Sequence, residues 1–282
     1  MIRVLITGSG SYIGSHIAAY LSQYSDRFEV CELDAREGLP QQAFSGFDTV
    51  IHVAGIAHQK EVSENKALYF DVNHHLAVET AAKAKMEGVK QFIFFSSMSV
   101  YGMTTGRITS ETTPAPNTFY GQSKLAAEQE MKTLEDDSFR IATLRPPMIY
   151  GKGCRGNYPR LSELARKLPI FPAVSNERSM LYIGTLCRFV EKLIESHEGG
   201  LYFPQNRRYV NTTEMVRLIA GCHSKKLCCI PGFAWLLKLI ESRVGVVGKV
   251  FGTLTYDHSM STAFTDENDL SFEETIRLTE VE

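Results

Sequence analysis

The stretch RVLITGSGSYIGSHI, residues 3–17, decides the fold class of this chain. A short run of β-forming apolar residues leads into a glycine-rich turn, and a helical pattern follows the turn. Further strand-like runs, FEVCEL, FDTVIHVAG, KQFIFFSS and FRIATLRPP, are interspersed with helical stretches such as NHHLAVETAAKAKMEG and YGQSKLAAEQEMKTLE. This alternation predicts parallel βαβ units and therefore an α/β fold with a doubly wound parallel sheet.

The texture of the sequence changes after Gly151, where prolines divide the chain into short pieces. Residues 1–150 are predicted to form the sheet domain. Residues 151–282 are predicted to form a smaller lobe, from which the chain can return to the main sheet. In such folds ligands bind at the carboxyl ends of the strands, so residues at strand ends are the candidates for function.

The glycines of the first turn do not fit a standard phosphate-binding pattern. Gly8, Gly10 and Gly14 match neither G-x-G-x-x-G nor G-x-x-G-x-x-G, because Ser11 stands where the second pattern needs glycine. Gly8 can still provide the tight turn, and Gly14 can let the helix pack closely on the sheet. Ser11 is small and follows a glycine, so the backbone can approach a pyrophosphate there. The turn is interpreted as a dinucleotide site with one glycine moved.

Residues around this turn support the same interpretation and bear on the choice of cofactor. Tyr12 and Ile13 lie in the turn before the predicted helix SHIAAYLSQY, whose free N–H groups can bind an anion. Asp34 follows Gly14 by about 20 residues at a strand end, where a carboxylate can bind the adenosine ribose. Arg36 could pair with a 2′-phosphate, which Asp34 would repel. The residues favour NAD(H) and leave NADP(H) open, and they predict a Rossmann-type domain.

Tyr120 and Lys124 lie four residues apart at the start of a predicted helix, so their side chains share one face. Tyrosine has an ordinary pKa near 10, too high for a base at neutral pH. A neighbouring ammonium group and an oxidised nicotinamide would both favour the phenolate. Tyr120 could then take a proton from a hydroxyl group or return one to a ketone. The alternative is that this spacing occurs by chance on a solvated helix.

Serines end the strand in FFSSMSVYG. The hydroxyl groups of Ser96 and Ser97 could both reach a reacting oxygen beside the tyrosine. The alternative role, capping of the following turn, suits Ser96 and Ser99 better, so Ser97 is the candidate for chemistry.

Taken together, ITGSGSYIG, VIHVAG, FDVN, SSMSVYG, YGQSK and LRPPMIYG resemble the extended short-chain dehydrogenase/reductases that act on nucleotide sugars. The resemblance implies that Ser97 is the catalytic hydroxyl, that Tyr120 is the acid/base, and that Lys124 binds the nicotinamide ribose. It also implies that Asn73 steadies the active-site helix. The resemblance further implies that Ala54, Gly55 and Pro147 line the cofactor. With the first turn and the end of the second strand included, the predicted cofactor-binding residues are Gly8, Ser11, Tyr12, Ile13, Gly14, Asp34, Arg36, Ala54, Gly55, Asn73, Tyr120, Lys124 and Pro147.

The second half carries a weaker resemblance to nucleotide-sugar enzymes, which implies that this lobe binds the nucleotide sugar. GNYPRL places Asn157 where these enzymes hold the diphosphate, and NERSMLYIGTL makes Arg178 the diphosphate clamp. A guanidinium suits that role because its planar fork binds two phosphate oxygens. Ser179 and Thr185 replace acidic residues of the family pattern. The implied substrate-binding residues are therefore Ser97, Asn157 and Arg178.

Three functions are weighed for such a site. Met98 and Ser99 replace the Asp-Glu pair of 4,6-dehydratases, which argues against dehydration. Segments of the second half resemble ketoreductases of capsule and O-antigen synthesis. The preferred hypothesis is reduction of a UDP-linked 4-keto-6-deoxy-N-acetylhexosamine to UDP-N-acetyl-fucosamine or -quinovosamine. The alternatives are a UDP-hexose or UDP-N-acetylhexosamine 4-epimerase with tightly bound NAD, and a non-catalytic nicotinamide-sensing Rossmann protein.

The composition bears on nucleic-acid binding, disulfide bonds and metal sites. A net charge of -2 gives no general field for capturing nucleic acid. Six cysteines without a C-x-x-C pair fit a reducing cytoplasm. The adjacent pair His74 and His75 cannot share one helical face, so no metal site is predicted.

Two further expectations concern membranes and assembly. The chain starts with a strand-like segment, so no secretory signal is expected. Charged residues Lys238, Glu241 and Arg243 interrupt the apolar stretch 227–252, which predicts an amphipathic helix after Pro231 rather than a membrane span. The resemblance implies a homodimer.

Overall fold

The computed structural model describes residues 1–35, 38–39, 43–57, 59, 61–232, 251–264 and 270–281. The strands are β1 Ile2–Thr7, β2 Phe28–Leu33, β3 Thr49–His52, β4 Gln91–Phe95, β5 Gly106–Ile108, β6 Arg140–Leu144, β7 Met148–Tyr150, β8 Ile170–Pro172, β9 Met180–Tyr182, β10 Gly200–Tyr202, β11 Cys228–Ile230 and β12 Leu254–Tyr256. The helices are α1 Tyr12–Leu21, α2 Lys66–Phe70, α3 Leu76–Met86, α4 Phe119–Met131, α5 Asn157–Lys167, α6 Ile183–Ser196, α7 Thr212–Cys222 and α8 Phe272–Glu280. A π-helical turn, Asp71–His75, joins α2 to α3.

The central sheet has six parallel strands in the order β2-β1-β3-β4-β6-β10. Every residue of β3 and β4 is buried, as expected for strands covered by helices on both faces. The predicted α/β fold with a doubly wound parallel sheet is thereby confirmed. The strand order reverses between β1 and β3, and such a switch point is where open parallel sheets bind ligands.

The described residues cluster into two compact units. The first comprises residues 1–102, 113–146 and 186–204, and the second comprises residues 103–112, 147–185 and 205–282. The sequence prediction placed the boundary near residue 150 and allowed the chain to return to the main sheet after it. In the structure the chain returns to the main sheet through most of α6 and through β10, while β5 belongs to the second unit.

Helix α3 shows how the sequence builds the core of the first unit. Ala77, Ala81 and Ala84 lie on one face of the helix and are fully buried. Their small side chains pack in one apolar cluster with Val50 of β3 and Phe92 of β4. Helix α3 therefore packs closely against the central strands β3 and β4.

The second unit is built from shorter pieces. Its strands form three parallel pairs, β5 with β12, β7 with β9 and β8 with β11. Helix α7 packs against α5 and α8. No helix in the described ranges is long and apolar enough to cross a membrane. Most of the amphipathic helix predicted after Pro231 lies outside the described residues.

Candidate active site

The turn after β1 lies at the switch point of the sheet. The amide of Gly8 donates a hydrogen bond to the carbonyl oxygen of Leu33, at 2.8 Å, and the φ of Gly8 is 107°. A Cβ on this residue would lie 2.8 Å from the backbone nitrogen of Ala54, which is too close for any side chain. Glycine is therefore required where the ends of β1, β2 and β3 meet. Beside Gly10, by contrast, no heavy atom of the described residues lies within 4 Å of the place where a Cβ would be.

Ser11 and Gly14 shape the start of α1. Ser11 is the N-cap residue, and its Oγ accepts a hydrogen bond from the Gly14 amide at 3.1 Å. A Cβ on Gly14 would lie 2.7 Å from that Oγ and 3.0 Å from Cγ2 of Val53. Gly14 therefore allows the close packing that the sequence predicted. Tyr12 and Ile13 are the first two residues of the helix.

This turn fits a dinucleotide. The open side of Gly10 allows a ligand to approach the backbone, and the helix start beside it favours a negative charge. Asp34 directly follows β2, so its carboxylate lies at the same edge of the sheet. Arg36, the residue predicted to accommodate a 2′-phosphate, lies outside the described residues.

Ser97 and Tyr120 come from different segments and meet in the structure. Ser97 follows β4, and Tyr120 is the second residue of α4. Burial raises the pKa of Tyr120, a hydrogen bond from Ser97 opposes that rise, and the nearby Tyr69 adds to it. The two hydroxyl groups are therefore neighbours, and their joint action on one oxygen stays a prediction.

Lys124 lies one helical turn beyond Tyr120 and is almost fully buried. Its Nζ lies over the ring of Phe94, 4.7 Å from the ring centre. Burial lowers the pKa of Lys124 to about 8, and the negative charge of Glu128 opposes this effect. His52 stacks on the same Phe94, and burial together with the charge of Lys124 lowers the pKa of His52 to about 3. Near neutral pH Lys124 is therefore mainly protonated and positively charged, whereas His52 is neutral.

Asn73 joins the loop that follows β3 to α4. Its Oδ1 accepts a hydrogen bond from the amide of Ile56 at 2.8 Å, and its Nδ2 donates to the carbonyl oxygen of Ile56 and to Oγ of Ser123. Ser123 in turn donates to the carbonyl oxygen of Tyr120 at 3.0 Å. A Cβ on Gly55 would lie 2.9 Å from Oδ1 of Asn73, so the loop residue there has little space. Asn73 is thus placed to steady both segments.

Sequence reasoning missed a second contact between these segments. The carboxylate of Glu61 accepts hydrogen bonds from the amides of Phe119 and Tyr120, at 2.8 and 3.0 Å. Thr118 caps the next free amide, that of Gly121, at 3.1 Å. A carboxylate at a helix start is favoured by the helix dipole. The sequence carries no local signal for this contact, because Glu61 lies far from α4 along the chain.

The assignment of the serines needs one correction. Ser97, rather than Ser96, is the N-cap of the 3₁₀ turn Met98–Tyr101, and its Oγ accepts a hydrogen bond from the amide of Ser99 at 3.1 Å. The hydroxyl group of Ser96 donates instead to Glu128. The prediction that Ser96 caps the turn was therefore wrong, since a buried carboxylate on α4 competes for its hydroxyl.

The remaining predicted residues lie in the second unit. Pro147 is buried and begins the second of the three segments that form this unit. Asn157 is the first residue of α5. Arg178 is buried, and its Nη1 donates to the carbonyl oxygen of Gly252 at 2.7 Å. Burial lowers the pKa of Arg178 to about 10. Among the described residues no carboxylate pairs with it, and its Nε has no partner. Such a cation is suited to an anionic ligand.

Comparison with known proteins places this chain in a family. The NAD dependent epimerase/dehydratase family matches residues 4–202. The chain belongs to that family. It is 29% identical to the UDP-glucose 4-epimerase of Vibrio cholerae over 91% of this chain and 87% of the relative. It is 29% identical to the N-acetyl-alpha-D-glucosaminyl-diphospho-ditrans,octacis-undecaprenol 4-epimerase of Escherichia coli O157:H7, over 76% of this chain and 64% of the relative.

Solved structures share the fold of this chain. The UDP-glucuronic acid 4-epimerase of Bacillus cereus, in complex with NAD, superposes with a TM-score of 0.76 at 18% identity, covering 99% of this chain and 96% of the other. The predicted resemblance and the prediction of an NAD(P)-dependent enzyme are confirmed by family membership. The homodimer and the choice between NAD(H) and NADP(H) stay predictions.

Proposed function

We propose that the chain is a 4-epimerase of a UDP-linked hexose or N-acetylhexosamine. The observation that carries this proposal is the hydrogen bond between Ser97 and Tyr120, with Lys124 one helical turn beyond Tyr120 on α4, in a chain that is similar to a UDP-glucose 4-epimerase over most of its length. A 4-ketoreductase is the second candidate. It is favoured by the segments RPPMIYGKGCRGNYPRLSELARKLPIFP and NERSMLYIGTL, whose pattern resembles ketoreductases of capsule and O-antigen synthesis.

The same residues would serve either reaction. A bound nicotinamide would supply the acceptor and donor of hydride at C4 of the sugar. The Tyr120 phenolate takes the proton of the 4-hydroxyl group as the ketone forms, and the phenol returns it when the alcohol forms again. The Ser97 hydroxyl donates a hydrogen bond to the same oxygen, and the Lys124 ammonium favours the phenolate. An epimerase returns hydrogen to the opposite face of the ring, whereas a reductase performs only the second half.

We further propose that the turn residues hold the cofactor. Gly8 and Ala54 bring the backbone of two strand ends together, and Asp34 lies at the third. The complete proposed set among the described residues is Gly8, Ser11, Tyr12, Ile13, Gly14, Asp34, Ala54, Gly55, Asn73, Tyr120, Lys124 and Pro147.

For the diphosphate of the substrate we propose Arg178, aided by Asn157. Saturating UDP is expected to raise the melting temperature of the protein, because a ligand at a hundred times its Kd adds about 2.7 kcal/mol to the stability of the folded state. For a chain of this size that corresponds to roughly 5 °C or more. In the Arg178→Met variant the shift is expected to fall to less than half. Differential scanning fluorimetry with UDP measures it.

The matched control is Arg166→Met, which removes an exposed arginine in the last turn of α5. Its shift with UDP should equal that of the wild type. An unchanged UDP shift in Arg178→Met would contradict the proposed role of that residue.

One assay separates the two candidate reactions. The purified protein is incubated with NADH or NADPH and enzymatically prepared UDP-4-keto-6-deoxy-GlcNAc, and the absorbance of the reduced nicotinamide is followed. In parallel, interconversion of UDP-GlcNAc and UDP-GalNAc, and of UDP-glucose and UDP-galactose, is followed by chromatography. Interconversion without consumption of reduced cofactor is the result expected of the epimerase. Stoichiometric consumption with the keto sugar, and no interconversion, would establish the ketoreductase instead.

A further inference from the structure

A buried ion pair lies beside the candidate active site. Nη2 of Arg145 is 2.5 Å from Oε2 of Glu128, and each side chain is only 8% exposed. Nε of Arg145 also donates to both carboxylate oxygens, at 3.1 and 3.2 Å. The guanidinium therefore contacts the carboxylate through two of its nitrogens, the geometry of a strong charge-assisted pair.

Two further side chains complete this cluster. The hydroxyl group of Ser96 donates to Oε1 of Glu128, and Nη1 of Arg145 donates to the hydroxyl oxygen of Tyr101 at 2.8 Å. The guanidinium also lies over the ring of Tyr101, 5.1 Å from its centre. A buried ion pair offsets its desolvation cost only when its remaining donors and acceptors also form hydrogen bonds. Here Ser96 and Tyr101 supply such hydrogen bonds to Glu128 and Arg145.

The cluster connects the segments that carry the chemistry. Ser96 immediately precedes Ser97, and Tyr101 closes the short turn that Ser97 caps. Glu128 lies one helical turn beyond Lys124 on α4, and Arg145 follows β6. A shift of the carboxylate would therefore move the Ser97 segment relative to the helix that carries the lysine.

The carboxylate also has an electrostatic role. Among the described residues, the charge of Lys124 acts on His52 of β3, and the charge of Glu128 acts on Lys124. Tyr120 lies one helical turn before Lys124 on the same helix. His52 is neutral because its pKa is lowered to about 3. Burial raises the pKa of Tyr120, so the phenol is protonated in the protein without cofactor. Glu128 is thus the negative charge that this ammonium faces.

We propose that Glu128 is a positioning residue of the reaction: its carboxylate, fixed by Arg145 and Ser96, holds the Ser97 segment against α4 and supplies the negative charge opposite the buried ammonium of Lys124. This inference rests on the proposed roles of Tyr120 and Lys124. Loss of the Glu128 charge favours the neutral amine of Lys124 over the ammonium form. A neutral lysine no longer favours the Tyr120 phenolate.

The first test needs no turnover. The side-chain resonances of Lys124 are identified in the full-length protein, without cofactor, by their absence in Lys124→Met, and are titrated by NMR. In Glu128→Gln the pKa of Lys124 is expected to fall by about one unit, since one opposite charge a helical turn away is removed. Glu128→Asp, which keeps the charge, should stay within a few tenths of the wild type. Glu130→Gln, which removes an exposed carboxylate on the same helix, should not differ from it.

A second variant covers a failure to fold. Glu128→Gln leaves Arg145 buried without its counter-ion, which is strongly destabilising. The double variant Glu128→Gln, Arg145→Gln removes both charges. Because the charge acting on Lys124 is that of Glu128, the pKa of Lys124 is again expected to fall. An unchanged pKa in a folded Glu128→Gln or double variant would overturn the inference.

The second test uses the pH dependence of kcat. With oxidised nicotinamide bound, which would favour the Tyr120 phenolate, the wild-type rate is expected to rise as Tyr120 loses its proton and to fall as Lys124 loses its charge. In Glu128→Gln the rise of kcat, which reports Tyr120, should move to higher pH, and its fall, which reports Lys124, should move to lower pH. The pH range over which the enzyme is active therefore narrows from both sides. A merely structural role would lower the maximum without moving either limb. If the wild type converts no substrate, the proposed function fails and the lysine titration still decides the role of Glu128.

Discussion

Tyr120→Phe is expected to lower kcat by roughly 10²–10⁴-fold, the usual contribution of a general acid/base. The variant keeps the ring and loses only the hydroxyl group that faces Ser97. It can no longer take a proton from the 4-hydroxyl group or return one to the ketone. Neither Ser97, whose proposed role is to donate a hydrogen bond to the reacting oxygen, nor the buried Lys124 is expected to replace it. The measurement is kcat for interconversion of the UDP-sugars, with KM and the melting temperature determined on the same samples.

The control is Tyr24→Phe, which removes a hydroxyl group from a partly exposed tyrosine in the short turn after α1. It should leave kcat within twofold of the wild type. The pair separates loss of a catalytic proton donor from a general effect of removing a tyrosine hydroxyl. A loss smaller than tenfold in a folded Tyr120→Phe would contradict the acid/base role.

The fold could be predicted from the sequence because its elements are locally encoded. The runs TVIH and QFIFF are apolar enough to be buried on both faces, and the structure places them as the two adjacent central strands β3 and β4. The packing role of Gly14 was also predictable, since it depends on a strand–turn–helix order visible in one short stretch. A return of the chain to the sheet was allowed for, but it could not be assigned to β10, because this strand has only three residues and they carry little periodic signal.

The candidate site was only partly predictable. Tyr120 and Lys124 are spaced by one helical turn, so their common face follows from the sequence. That Ser97 joins them was expected only from the order of motifs in a resembling family. The structure brings the Ser97 hydroxyl to Tyr120, because β4 ends beside the start of α4.

Contacts between distant residues could not be predicted. The carboxylate of Glu61 binds the start of a helix that begins 58 residues later, and nothing in its own neighbourhood indicates that partner. The pairing of Glu128 with Arg145 likewise depends on how β6 lies beside α4. Local patterns specify which element forms, whereas these contacts depend on which elements become neighbours.

Gly121→Ala is expected to have the second large effect. A Cβ at this position would lie 2.6 Å from the carbonyl oxygen of Ser99 and 3.0 Å from Cβ of Pro116. Because the first contact is with backbone, relief requires the start of α4 and the Ser97–Ser99 segment to separate by several tenths of an ångström. Misplacement of about 1 Å in an active site costs roughly 10²-fold in rate, so we expect kcat to fall by about 10- to 100-fold. Overpacking should also cost about 1–3 kcal/mol of stability. Steady-state kinetics and urea unfolding measure the two effects.

Gly221→Ala is the matched control for this experiment. Gly221 lies in α7, is exposed, and has no heavy atom of the described residues within 4 Å of an added Cβ. The same substitution there should raise the stability of the folded state by about 0.5–1 kcal/mol, because alanine favours a helix more than glycine does, and kcat should not change. The opposite signs of the two stability changes would show that the cost at Gly121 comes from its contact with Ser99. If Gly121→Ala were as active and as stable as Gly221→Ala, the close approach of α4 to the Ser97 segment could not be what places Tyr120.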